Sequence, residues 1–152
     1  MKRLRGMFAL ATLLAGVGLF AAETGDLHVD AAYVRAVPPG QPNSAAFMTL
    51  TNTGKTERAL VAATSPSSAT VELHTHRHED GMMNMRRIER IEIPAGGSVT
   101  LAPGGLHFML IGLKQPVQPG DQVALTLTFD DGQRLDLDLP VRAIVPPGAM
   151  TP

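Results

Sequence analysis

Two segments near the C-terminus restrict the fold of this chain more than any other feature. Gln122-Val123-Ala124-Leu125-Thr126-Leu127-Thr128-Phe129 and Arg134-Leu135-Asp136-Leu137-Asp138-Leu139 alternate large apolar residues with polar or small ones throughout. Successive side chains on a strand point to opposite faces, so strict period two gives each segment one face for a core and one for water. Asp130-Asp131-Gly132-Gln133 joins them with the Asp-Gly chemistry of a tight hairpin. The pattern predicts an antiparallel hairpin that must bury its apolar face against a second layer.

The rest of the chain keeps the same style. From Leu27 on, short apolar alternations are punctuated by Gly, Pro and Asn, and no segment has a helical period. Strands are expected over residues 27–37, 45–51, 59–63, 70–78, 85–93, 98–101 and 106–113. The punctuation is Pro38-Pro39-Gly40-Gln41-Pro42, Asn52-Thr53-Gly54, Glu79-Asp80-Gly81, Pro94-Ala95-Gly96-Gly97 and Pro103-Gly104-Gly105. About eight such strands, with turns every eight to twelve residues or so, imply an all-β antiparallel sandwich or small barrel. With 152 residues, 44% hydrophobic and 18% charged, the chain can bury one core. A single domain is expected over residues 26–145, followed by a loose tail at 146–152 that contains Pro146-Pro147-Gly148.

The first 22 residues read as a secretory signal. Lys2, Arg3 and Arg5 form a positive start, Met7 to Phe20 is apolar or small throughout, and Ala21-Ala22 offers small residues for cleavage before Glu23. The apolar run is shorter than the ~20 residues of a bilayer span. A net charge of -1 with scattered signs provides no basic face for nucleic acid. The absence of cysteine excludes zinc-thiolate and thiolate-ligated blue-copper centres and leaves thioether as the only sulfur ligand.

Histidine and methionine are concentrated between residues 74 and 109, which hold His74, His76, His78 and His107 with Met82, Met83, Met85 and Met109. Imidazole and thioether are borderline-to-soft donors suited to Cu(I), whereas calcium and magnesium ask for oxygen. His74, His76 and His78 share one face of an extended segment, which is ligand spacing, although any one of them alone fits a solvated strand edge. His107 and Met109 repeat the i, i+2 relation. Phe108 and Leu110 take the opposite face, so Met109 cannot enter a core without bringing His107 along. Met82, Met83 and Met85 stand among Asn84, Arg86 and Arg87, poor company for core residues, whereas Met48 between Phe47 and Leu50 reads as packing. No serine has an adjacent base and no glycine loop resembles a phosphate cradle, so catalysis is not expected.

The spacing of four of these residues is specific. His74, ten residues, Met85, twenty-one residues, His107, one residue, Met109 resembles the signature of the PCuAC-type periplasmic copper chaperones. Val71-Glu72-Leu73-His74, Glu79-Asp80-Gly81, Ile93-Pro94-Ala95-Gly96-Gly97, Pro103-Gly104-Gly105 and Gly112-Leu113-Lys114-Gln115 agree with it. The resemblance implies a cupredoxin-like, immunoglobulin-like β-sandwich in the periplasm. It implies one Cu(I) bound through the two histidines and two methionines and delivered to a copper-accepting protein, such as a cytochrome c oxidase subunit receiving its binuclear centre. His76, His78 and Met83 lie outside the four and are expected to serve an auxiliary Cu(II) or zinc site. The competing readings are a periplasmic copper or zinc buffer centred on residues 74–78, a copper enzyme with an open coordination position, and a plain structural sandwich.

Overall fold

A computed structural model describes residues 22–144. The expected signal segment up to residue 21 and the tail 146–152 lie outside the described residues. Among the described residues there is no helix, hence none long and apolar enough to cross a membrane. Eleven strands follow in order: β1 Ala22–Thr24, β2 Leu27–Arg35, β3 Asn43–Asn52, β4 Arg58–Thr64, β5 Ser68–Glu79, β6 Met82–Ile88, β7 Ile91–Ile93, β8 Ser98–Leu101, β9 His107–Leu113, β10 Gln122–Phe129 and β11 Arg134–Arg142.

The alternating hairpin has the expected register. β10 and β11 pair antiparallel with Leu125 opposite Leu137, and Val123, Leu125, Leu127 and Phe129 turn inward with Leu135, Leu137, Leu139 and Val141. Its loop closes through Phe129 N–H to the Gln133 carbonyl (2.9 Å) and Gly132 N–H to the Phe129 carbonyl (2.9 Å). Gly132 has φ 83°, the left-handed conformation that glycine reaches without a Cβ penalty.

Hydrogen bonding runs in the order β6-β5-β9-β3-β2-β11-β10-β4-β7, with β1 on β2 and β8 on β3. β11 is the corner between two layers. Most of it pairs with β10, while Val141 and Arg142 pair with Val34 and Arg35 of β2. That last pairing is parallel, a departure from the all-antiparallel expectation. Between the layers lies one core, to which Leu50, Phe108 and Leu110 contribute from the first and Leu60, Leu127 and Phe129 from the second. The all-β sandwich class is as the sequence indicates.

Residues 85–93, expected as one strand, form two. β6 ends at Ile88, Glu89-Arg90 breaks the run, and β7 pairs with β4 in the other layer. The inward phase shifts by one residue across the break, from Ile88 packed on the core to Ile91 and Ile93 buried in it, which a single continuous strand could not accommodate. β2 carries a second irregularity: its register to β3 slips between Asp30 and Tyr33, where Ala31 has φ 52°. The short β1, paired to β2, lies ahead of the expected domain start at residue 26.

Candidate metal centre

Strands β5, β9 and β3 lie side by side and set the site. Residues directly opposite each other in an antiparallel pair share a face. His74 is opposite His107, Glu72 is opposite Met109, and Ala45 faces Met109 from the other side. Glu72, His74, His76, His107, Met109, Ala45 and Phe47 therefore share the outer face, while Leu73, Phe108, Leu110, Ala46 and Met48 point into the core. On β6, Met85 is opposite His76, which brings it to the same outer face. All four residues of the spacing signature thus stand on one face of one layer.

The register also separates the histidines of β5. Strand rise is about 3.3 Å per residue, so His74 and His78 are roughly 13 Å apart along the strand and cannot share one ion. Among the described residues no three His, Asp or Glu side chains converge as a metal-binding group. An ion held here by three or more side chains must therefore draw on thioether sulfur.

His107 is the most enclosed of the set, 3% exposed, although it lies on the outer face. Its ring is 5.8 Å from that of His74, 6.3 Å from Phe47, and stacked at 5.1 Å on His76. Tyr33 packs on Phe47 at 5.2 Å, and the Arg35 guanidinium lies 5.2 Å over the Phe47 ring, so an aromatic shelf shields one side. A cavity of about 200 Å³, enough for several waters at ~30 Å³ each, is lined by Phe47, His76, Met85, Pro103, His107 and Met109 among others. His74 is outside that lining, next to it on β5.

The hydrogen bonds set which nitrogens are free. His107 Nδ1 is 2.9 Å from the Gly105 carbonyl, an acceptor only, so Nδ1 carries the proton and Nε2 keeps its lone pair. Burial holds the His107 pKa below the ordinary histidine value; the Gly105 carbonyl opposes this, and His76 and His74 reinforce it. His74 Nε2 is 2.8 Å from Glu72 Oε2, and its Nδ1 is buried without a hydrogen-bond partner. A buried unpaired nitrogen costs about 1–3 kcal/mol. A lone pair offered to a soft cation removes that cost, and a carboxylate on the other ring nitrogen is the usual support of a metal-binding histidine. The donor set therefore fits a soft ion. Glu72 is in turn held below the usual carboxylate range, first by the His74 hydrogen bond and then by Arg87, 3.7 Å away.

Sequence reading missed three contributors. Glu72 could have been found, since an acid two residues before a ligand-type histidine shares its strand face. The Gly105 carbonyl and the Phe47 ring could not, because backbone acceptors and distant aromatics leave no mark in spacing. His78 and Met83 lie further out, opposite each other near the end of the β5–β6 hairpin.

Comparison with known proteins gives the family and the fold. The profile of the LpqE-like family, described as lipoproteins, matches residues 27–141. The chain belongs to the LpqE-like family. The chain is similar to Lxx21020 of Leifsonia xyli subsp. xyli, named as a lipoprotein, 37% identical over 117 residues, which cover 76% of this chain and 69% of that protein. The solution structure of CuI-DR1885 from Deinococcus radiodurans shares 40% identity and a TM-score of 0.61, covering 73% of this chain and 74% of that one. The copper-bound PCuAC domain from PmoF2 superposes with a TM-score of 0.67 over 82% of this chain and 97% of that domain, at 23% identity. This LpqE-like chain therefore has the PCuAC fold, as its sequence resemblance implies.

Proposed function

We propose that this protein binds one Cu(I) through His74, Met85, His107 and Met109 outside the cytoplasm and hands it to a copper-accepting partner. The observation that carries the reading is the opposed pair His74 and His107, with rings 5.8 Å apart and the buried Nδ1 of His74 lacking a protein partner. Met85 and Met109 stand on the same face with sulfur to complete a neutral N₂S₂ set, which suits Cu(I) and disfavours the tetragonal N and O preference of Cu(II). Relatives support it: one is described as a CuI form and another as a copper-bound domain. The family's description as lipoproteins supports export, in keeping with the periplasmic expectation.

Ligand chemistry gives transfer a direction. A neutral thioether is a weaker donor than an anionic thiolate, so each exchange of Met for Cys favours an acceptor bearing cysteines. A binuclear copper centre of cytochrome c oxidase is such an acceptor. Met85, 44% exposed on the outermost strand, is the ligand a partner can reach first, while buried His107 is the last to let go. The copper remains Cu(I) throughout; ligands exchange and no electron moves.

The test is competition with a chromophoric Cu(I) chelator, followed by mixing the loaded protein with an apo, cysteine-bearing acceptor domain and mass spectrometry of both. One Cu(I) per chain, lost from Met85→Ala/Met109→Ala and passed to the acceptor, is expected. Unchanged affinity in the double variant refutes the ligand set, and copper retained at equilibrium makes the protein a buffer.

A further inference from the structure

Strand β6 contributes nothing fully buried. Met82 to Arg87 are exposed and only Ile88 touches the core. Three thioethers lie on it in the open, with Met82 64%, Met83 53% and Met85 44% exposed, and β6 is the end of the sheet. An edge strand that touches the core only at its last residue still costs ordering entropy, and exposed large apolar side chains on an edge invite association. Its composition calls for a use other than packing.

We infer that the tip of the β5–β6 hairpin carries a second, weaker Cu(I) site built from His78 and Met83, through which copper reaches and leaves the buried site. The inference rests on the Cu(I) reading above. Asp80 (φ 52°) and Gly81 (φ 75°) both have positive φ, the type I′ pair of a two-residue hairpin. In such a hairpin the closing pair, Glu79 and Met82, exchanges both backbone hydrogen bonds, and pair types alternate from there. His78 with Met83, and His76 with Met85, are thus both of the non-hydrogen-bonded kind, in which Cα atoms approach to about 4.5 Å and side chains crowd together.

The result is a ladder of soft donors on one face. His74 with His107, His76 with Met85, and His78 with Met83 occupy successive levels along β5, roughly 6.6 Å apart. The ladder runs from the buried His107 to the exposed tip. His78 makes no hydrogen bond or ion pair with another described residue, which leaves both ring nitrogens available. Two donors against four make the outer site the weaker one, as a station for loading and release requires. Met82 points to the opposite face with Glu79 and cannot join it.

Titrating the full chain, carrying ¹³C-methyl methionine, with Cu(I) under anaerobic conditions tests this. The first equivalent should move the Met85 and Met109 methyls and the second the Met83 methyl and the His78 ring. His78→Ala/Met83→Ala should keep the first affinity within about threefold, lose the second equivalent and slow transfer to a thiolate acceptor at least tenfold. Met82→Ala should change none of these. Saturation at one equivalent, or a silent Met83 at two, overturns the outer site while leaving the buried one intact. Silence of Met85 and Met109 at the first equivalent instead refutes the four-ligand set, and Met83 still reports separately.

Discussion

Removing the Glu72 carboxylate should weaken copper binding without unfolding the protein. Glu72 touches His74 Nε2 at 2.8 Å and is 3.7 Å from Arg87, and it lies on the outer face, away from the core. Its loss frees the His74 ring to rotate and lets it take the other tautomer, with the proton on the nitrogen needed for the metal. Loss of such a supporting contact costs 10–100-fold in metal affinity, about 1.4–2.7 kcal/mol. Glu72→Gln keeps an acceptor oxygen and should lose far less than Glu72→Ala. The readout is Cu(I) affinity by chelator competition, with thermal unfolding of the apo proteins as control. Equal affinity in wild type and Glu72→Ala, both folded, would refute the idea that this hydrogen bond prepares His74 for metal.

Other perturbations follow from the same structure. Phe108→Ala, at a fully buried position directly behind His107, should cost about 3–5 kcal/mol in denaturant unfolding. Gly81→Ala forces a Cβ into φ 75° and should destabilise the hairpin tip by about 1–2 kcal/mol, seen as faster hydrogen exchange of β6 amides with the rest unchanged. Asp131 is held below the usual carboxylate range, first by the Gln133 backbone N–H and, against desolvation, by Arg58. A depressed folded pKa adds stability that is present above the unfolded value and lost as pH falls through the folded one. Asp131→Asn should therefore lower stability at neutral and alkaline pH and flatten the acid side of the profile; an unaltered acid limb would contradict the assignment.

Much of this fold was legible because its strands announce their faces. β8 and β10 have the bounds that alternation gives, and the Asp130 to Gln133 loop has the turn its residues demand. The division of Met85 to Ile93 is marked only by the one-residue phase shift between Ile88 and Ile91, which the expectation of one continuous strand passed over. The parallel contact of β11 with β2 was not legible, since it depends on where two distant strands end. At the site, spacing put His107 and Met109 on one face and His74, His76 and His78 on another, and the β5–β9 register showed the two faces to be the same. Spacing could not show that His76 would stack on His107, or that Met85 would sit opposite His76 rather than His74, because cross-strand register is set by the Asp80-Gly81 turn. Membership of His74, Met85, His107 and Met109 in one coordination sphere remains the proposal.

X-ray absorption at the copper edge of the protein loaded with one equivalent of Cu(I) tests that proposal most directly. The expected first shell holds two nitrogens and two sulfurs, with one sulfur lost in Met85→Ala and one in Met109→Ala. A shell of nitrogen and oxygen alone, or sulfur unaffected by either substitution, would contradict it.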